Sequence, residues 1–308
     1  MDAAYDQLLT ATITHLEDLK SRGVKHLPVA PDSLANLARP ATAKSPAEPA
    51  RREPARAPQI DAPPTSRPVV SPAATPDLIT APAPPSAFND LLVDPSVELT
   101  PERKEVEMVR IRERALACVK CPHLAGSRRH VVFGVGSVHA ELMFVGEAPG
   151  MDEDEQGEPF VGKAGQLLTK IIQTMGLSRE QVYIANVLKC RPDTPGQSTG
   201  NRPPTADEMN TCKPYLLAQV SVIRPRALVA LGATAINGLL GKNPGIMRLR
   251  GRWQDFNGVP LMPTFHPAYL LRNQALTEKR KVWEDMLAVM ERLTLPISDK
   301  QRGFFLAK

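Results

Sequence analysis

The stretch ELMFVGEAPGMDEDEQGEPFVGKAGQLL, residues 141–168, decides the fold of this 308-residue chain. It begins with a short apolar run, Leu142 to Val145, which is typical of a buried strand and which a Gly-Glu-Ala-Pro-Gly segment ends. A loop rich in carboxylates follows, and from Gly162 onward apolar residues recur at helical spacing. A strand, a glycine-lined loop and a helix in this order are typical of open α/β sheets, which bind ligands at the carboxyl ends of their strands.

Three further apolar runs predict strands at residues 182–187, 227–231 and 259–265. Helices are expected at 205–222, 233–240 and 277–293, and a charged helix that begins after Thr100 is expected to reach the first cysteines. Because strands and helices alternate, we expect an α/β fold of three layers, with a central, mostly parallel, four-stranded sheet.

The first hundred residues differ in composition from the rest and contain about half of the 31 prolines. Residues 1–26 carry a helical apolar stripe, which predicts either a short partner-docking helix or a disordered end with helical bias. Residues 27–99 are rich in Pro and Ala without a period, and we expect a disordered linker because such a segment buries little apolar surface. Residues 100–308 are expected to form one folded domain.

The balance of basic and acidic residues also changes near residue 100. After residue 100 there are twenty-nine Lys and Arg against twenty-one Asp and Glu, whereas the first hundred residues are slightly acidic. A basic domain favours a polyanionic partner, although a solvated basic surface without a partner gives the same count. The start of the chain lacks a signal-peptide pattern and no apolar run is long enough to span a bilayer, so we expect a cytoplasmic protein without a membrane partner.

The four cysteines form a pattern that suits a metal site. Cys118 and Cys121 make a CxxC pair, Cys190 follows the second predicted strand, and Cys212 lies on the next predicted helix. In a reducing compartment such a set can complete a four-thiolate site, and the spacing leaves zinc and an iron–sulfur cluster both open. A redox CxxC with two structural cysteines is the alternative, but redox motifs of this type follow a strand.

Three shorter motifs have competing interpretations. Residues 157–164 mimic a phosphate-binding loop, but Ala164 lacks the hydroxyl that holds magnesium and the acidic run before it would repel a triphosphate. Asn186 at a strand end suits reading the edge of a base, or forming a turn. His266 after the fourth predicted strand can donate a hydrogen bond to a developing anion, although a lone histidine is more often structural.

Together these motifs resemble the family 4 uracil-DNA glycosylases, the iron–sulfur type of that superfamily. The resemblance covers about residues 107–293 and rests on the cysteine order and on four motifs: GEAPG at 146–150, GEPFVGKAGQLL at 157–168, NVLKCRP at 186–192 and HPAYLLR at 266–272. It implies a DNA-repair hydrolase that flips uracil out of single- or double-stranded DNA and hydrolyses its N-glycosidic bond, leaving an abasic site. We expect a monomer that binds uracil-containing DNA, with a repair or replication protein as the candidate partner of the N-terminal helix.

The resemblance also implies roles for individual residues. Phe160 resembles the aromatic residue on which flipped uracil stacks, and Asn186 the residue that reads its polar edge. His266 resembles the histidine that stabilises negative charge on uracil O2. Glu147 and Ala148 are expected to line the pocket, and Glu147 is also a candidate catalytic residue.

Glu153 matches an acidic position implicated in activating the attacking water, although Asp152 and Asp154 beside it are alternatives. The four cysteines, Cys118, Cys121, Cys190 and Cys212, are implied to hold a structural [4Fe-4S] cluster. The segment Tyr269 to Arg272 is expected to press into the duplex beside the flipped base. Phosphate contacts are expected from basic residues: Arg128, Arg129, Lys163, Lys189, Arg191, Arg248, Arg250 and Arg252.

Two alternatives to the glycosylase stay open. One is a family X-like protein that traps uracil-DNA covalently through a histidine in a basic insert, but residues 193–205 contain Arg202 and no histidine. The other is a non-catalytic nucleic-acid-binding accessory with a structural metal site, of the phage DNA-polymerase-related type. The presence of Phe160, Asn186 and His266 together argues against lost chemistry.

Overall fold

The computed structural model describes residues 90–194, 200–241 and 245–306, which lie within one compact unit, Asp77–Lys308. The predicted helix of residues 1–26 and most of the predicted linker fall outside these residues. Among the residues described, no helix combines the length and the apolar character needed to cross a membrane.

A six-stranded sheet forms the centre of the domain. Its strands are β1 (Val135–Gly136), β2 (Leu142–Gly146), β3 (Tyr183–Asn186), β4 (Ala227–Leu231), β5 (Gln254–Phe256) and β6 (Val259–Thr264), in the spatial order β1-β3-β2-β4-β6-β5. The four predicted strands form a parallel core, β3-β2-β4-β6, and β1 and β5 pair antiparallel at its edges. The α/β fold class is confirmed, but the sheet has six strands rather than four. The two edge strands are too short to show an apolar period.

Helices cover both faces of the sheet. In the described ranges they are α1 (Pro101–Leu116), α2 (Pro122–Ser127), α3 (Met151–Gln156), α4 (Lys163–Thr174), α5 (Ala206–Ile223), α6 (Ala233–Leu240), α7 (Ile246–Leu249), α8 (Pro267–Arg272), α9 (Leu276–Arg292) and α10 (Asp299–Arg302). Alternate residues of β2 enter different cores: Met143 and Val145 pack with α1, α5 and α6, whereas Leu142 and Phe144 pack with α4 and α9. The three predicted layers follow from this alternation.

Three local predictions differ from the structure. The helix expected to deliver the CxxC pair ends at Leu116, so Cys118 lies in a loop and Cys121 caps α2. The acidic run expected in a loop forms α3, because carboxylates are favoured in the first turn of a helix. Within the predicted linker, Leu91 is fully buried in the core and the carbonyl of Asp94 accepts a hydrogen bond from Arg224.

Candidate active site

A cavity of about 610 Å³ opens at the carboxyl ends of the parallel strands. Its volume is within the range of small-molecule sites, about 300–1,000 Å³. The predicted pocket residues all line it: Glu147, Ala148, Glu153, Phe160, Asn186 and His266. The structure therefore brings together residues that are spread over more than a hundred positions of the chain.

Phe160 lies between α3 and α4 on an unusual backbone. Its φ is 55°, in the left-handed region that a bulky side chain rarely adopts. A Cβ added to Gly146 would lie 2.6 Å from the Phe160 ring and 2.3 Å from the Oδ1 atom of Asn186. The last residue of β2 is therefore glycine because two site side chains approach it.

Asn186 ends β3 and is only 2% exposed. Its backbone carbonyl accepts a hydrogen bond of 2.9 Å from the Nζ of Lys189, which also donates to Gln219 over 2.6 Å. The side-chain Oδ1 is buried and has no hydrogen-bond partner among the described residues. Because a buried acceptor without a partner is costly, this atom is suited to a ligand that brings its own donor.

His266 precedes α8 and caps it. Its Nδ1 accepts a hydrogen bond of 3.1 Å from the backbone N–H of Ala268, so the neutral ring carries its proton on Nε2. Burial, assisted by the charge of Arg272, lowers the pKa of His266 to about 4. The ring is therefore a neutral hydrogen-bond donor at physiological pH.

The candidate carboxylates have different surroundings. The Oε1 of Glu153 accepts hydrogen bonds of 3.0 Å from the N–H groups of Val161 and Gly162, and its Oε2 accepts one of 3.0 Å from Gly150. Burial raises the pKa of Glu147, opposed by a side-chain hydrogen bond with Thr234. Glu153 thus fixes the loop around it, while burial raises the pKa of Glu147 and makes that carboxylate a stronger base.

The two neighbours of Glu153 also differ. Asp152 lines the cavity. Asp154 is 2% exposed and its Oδ1 accepts from the N–H groups of Arg129 and His130, at 3.0 Å and 3.3 Å. Asp154 is therefore occupied in anchoring the segment before β1, which leaves Asp152 as the remaining alternative to Glu153.

The four thiols lie near one another. Burial raises the pKa of Cys121 and also that of Cys212, the latter to about 12. The charges of Cys118 and Cys190 raise both pKa values further. N–H donors approach two of the sulfurs: Arg128 Nη1 lies 3.1 Å from Cys190 Sγ, and the backbone nitrogen of Lys189 lies 3.2 Å from Cys212 Sγ.

Four free cysteines with N–H donors to sulfur fit an iron–sulfur cluster, whose sulfurs are commonly hydrogen-bonded. Within the described ranges, no three His, Cys, Asp or Glu residues are arranged to hold one metal ion. That finding concerns a single ion, whereas in a cluster each thiolate binds a separate iron.

The basic residues predicted to contact phosphates divide into two sets. One set is engaged inside the fold: Arg128 at Cys190, Lys189 at Gln219, Arg191 at Asn201 and Arg250 at Asp285, the last over 2.5 Å. Each of these four side chains is held by a protein acceptor, and their contact with phosphates stays a prediction. The other set is exposed: Arg129, Lys163, Arg248 and Arg252.

Sequence reasoning missed three residues at or behind the cavity. Asn201 and Arg202 line its wall, and Arg191 holds Asn201 through a hydrogen bond of 2.8 Å. Arg179 contacts the backbone of Phe160 from behind. No local pattern marks these residues, since each acts through contacts that are distant in sequence.

Comparison with known proteins gives a consistent result. Residues 133–287 match the family model described as the uracil DNA glycosylase superfamily. The chain is similar to the type-4 uracil-DNA glycosylase of Thermotoga maritima, with 45% identity over 59% of this chain and 93% of the relative. The type-4 uracil-DNA glycosylases of Sulfurisphaera tokodaii and Saccharolobus solfataricus are 42% and 39% identical, over 57% and 60% of this chain and 80% and 85% of theirs.

Proposed function

We propose that this chain, which belongs to the uracil DNA glycosylase superfamily and within it to the type-4 group, removes uracil from DNA by hydrolysing the bond between base and deoxyribose. The main support is the buried Oδ1 of Asn186, an acceptor without a partner in the described part of the chain. Uracil offers an imide N–H donor between two carbonyl acceptors. It therefore complements one side-chain amide that presents an acceptor and a donor.

Binding requires the base to leave the DNA stack. Extrusion costs a few kcal/mol, least in single strands and mismatches. The Phe160 ring beside the cavity offers an aromatic surface on which the extruded base can stack, which offsets part of this cost. Asn186 then selects the base by its polar edge. A base that cannot donate to the Oδ1 would leave this buried acceptor without a partner, which makes its binding less favourable.

Bond cleavage leaves the bonding electron pair on the departing uracil. The Nε2–H of His266 is proposed to donate to uracil O2, where this negative charge develops. A neutral donor suits this role because its proton is available at physiological pH and its geometry is set by the bond between Nδ1 and Ala268. Removing one preorganised donor of this kind typically costs about 10²–10³ in rate.

The sugar becomes cationic as the base leaves, so carboxylates beside it stabilise the transition state. We assign this role to Glu147 and Glu153, both of which line the cavity. A carboxylate with a raised pKa is the stronger base, so Glu147 is the better candidate to take a proton from the attacking water. Glu153 is held in place by three backbone N–H groups and is better suited to stabilise the cationic sugar from a fixed position.

We also infer that Cys118, Cys121, Cys190 and Cys212 hold a [4Fe-4S] cluster. When bound, it would supply a structural cross-link rather than a step of the hydrolysis. The link would join the segment around α2, the loop after β3 and helix α5. Since Asn186 ends the same strand that leads to Cys190, the link would also steady the base-reading residue.

DNA is the proposed partner, and the phosphates beside the extruded base are expected near Lys163 and Arg272. Both are exposed side chains on the wall of the cavity. A cytoplasmic location and a monomeric state stay predictions.

The test is cleavage of uracil-containing oligonucleotides, single- and double-stranded, in EDTA, followed by alkali to break abasic sites. We expect strand breaks at uracil and none in matched thymine oligonucleotides. Asn186→Ala should lose most activity, whereas Asn237→Ala, which changes an exposed residue of α6, should not. Intact strands with the wild-type protein, while a control glycosylase cuts them, would show that the proposal is wrong.

A further inference from the structure

Arg179 lies in the loop between α4 and β3, and its guanidinium contacts the backbone of the proposed stacking residue. Its Nη1 donates a hydrogen bond of 3.1 Å to the carbonyl of Phe160, and its Nη2 donates one of 2.8 Å to the carbonyl of Pro159. Nη1 also lies 3.2 Å from the hydroxyl of Thr169 in α4. One planar group thus joins two consecutive carbonyls to the neighbouring helix.

The backbone that Arg179 holds is in an unfavourable conformation. Phe160 has its φ at 55°, and such a residue persists only where the surroundings determine its conformation. Helix α4 touches the same carbonyl, because a Cβ added to Gly165 would lie 1.8 Å from the carbonyl oxygen of Phe160. Small changes behind Phe160 are therefore expected to move its ring.

The following peptide groups are held from the other side. Glu153 accepts hydrogen bonds from the N–H groups of Val161 and Gly162, while Arg179 donates to the carbonyls just before them. A cation and an anion therefore fix consecutive parts of one short segment. Arg179 does so from outside the cavity, whose lining does not include it among the residues described.

We propose that Arg179 is a positioning residue for uracil recognition: its bonds to the carbonyls of Pro159 and Phe160 set the position of the ring on which the base stacks. The inference rests on the proposed function. Among the described residues, the guanidinium donates to the carbonyls of Pro159 and Phe160 and to Thr169. The inference therefore predicts that the effect of Arg179 on cleavage requires the Phe160 ring.

Three variants separate this role from a general loss of stability. Arg179→Met removes the donors and keeps an apolar stem. Arg179→Lys keeps the charge, but an ammonium lacks the planar fork that spans two carbonyls. Arg226→Met is the control, because Arg226 also holds two protein acceptors, the carboxylate of Glu141 and the carbonyl of Arg292, but at an exposed site.

The decisive measurement is a double-mutant cycle on single-turnover cleavage of a uracil oligonucleotide. Arg179→Met should slow the wild-type protein about 10- to 100-fold, because small displacements at a reacting centre cost this much. Arg179→Lys should recover part of the rate and Arg226→Met should leave it unchanged. In a Phe160→Ala background, Arg179→Met should have no further effect. An equal loss in both backgrounds would overturn the proposal.

Hydrogen exchange provides a readout that does not depend on cleavage. In Arg179→Met the amides of Val161 and Gly162 should exchange faster, while those of β2 and β4 keep the wild-type rates. Unchanged exchange at both amides would refute the inference even if cleavage is slowed. If the wild-type protein cuts no uracil DNA but the amides of Val161 and Gly162 still exchange faster in Arg179→Met, the proposed function alone is refuted.

Discussion

The ring of Phe160 stacks on the imidazole of His266, with the ring centroids 5.7 Å apart and the planes inclined by 30°. Phe160 precedes α4 and His266 follows β6, so only the folded sheet brings them together. Each ring is fixed by its own backbone, through the left-handed conformation of Phe160 and the bond from Ala268 to His266. The proposed stacking surface and the proposed donor to uracil O2 are therefore held as one unit.

The low pKa of His266 makes stability depend on pH in a defined direction. Because the folded pKa of about 4 lies below the ordinary value near 6.5, the unfolded chain takes up a proton first as pH falls. The contribution of His266 is complete above about pH 6.5 and is lost toward pH 4, at up to about 1.4 kcal/mol per pH unit. Between pH 7 and pH 5, urea unfolding of the wild type should lose about 1–2 kcal/mol more than that of His266→Gln. Equal losses would contradict the neutral buried ring.

Glu147 and Glu153 are expected to respond differently to the loss of charge. Glu147→Gln should lower the cleavage rate by at least about 10²-fold without lowering the melting temperature, because it removes a base that burial already disfavours as an anion. Glu153→Gln should lower rate and melting temperature together, since an amide cannot accept from all three N–H groups and each unpaired group costs about 1–3 kcal/mol. A Glu153→Gln protein of normal stability but without activity would instead make Glu153 the base.

Gly165 leaves room for the Phe160 carbonyl, so a methyl group there is expected to disturb the site. Gly165→Ala should cost about 1–3 kcal/mol by overpacking and should weaken cleavage. Gly126→Ala in α2 is the matched control, because among the described residues nothing beyond its chain neighbours and its own helix backbone lies within 4 Å of the added Cβ. That substitution should gain about 0.5–1 kcal/mol in a helix. Thermal melting and cleavage assays on both proteins check this, and similar effects would contradict it.

The four cysteines are expected to act as a set. A wild-type preparation should be brown and contain iron, and Cys118→Ser or Cys212→Ser should each lose colour and iron together. Loss of the cross-link should also lower the melting temperature, because binding free energy at such a site contributes to folding. Metal analysis decides between the alternatives, since stoichiometric zinc without iron would contradict the cluster.

Much of the fold and of the candidate site could be predicted from the order of residues. The apolar runs that form β2, β3, β4 and β6 are visible because each strand is buried on both faces. Because the carboxyl ends of parallel strands share one edge, Glu147, Asn186 and His266 could be placed at a common site. The left-handed conformation of Phe160, in contrast, has no marker in sequence.

Only the tertiary structure decided what each polar residue faces. Lys189 and Arg250 are basic residues like Lys163, yet Gln219 and Asp285 hold them inside the fold while Lys163 stays exposed. The sequence by itself determined the parallel sheet, the family motifs and the residues at the strand ends, because those depend on local periodicity. Tertiary packing decided the partners of Glu153, Arg179 and the buried basic residues, because a side chain's hydrogen bonds depend on groups that are remote in sequence.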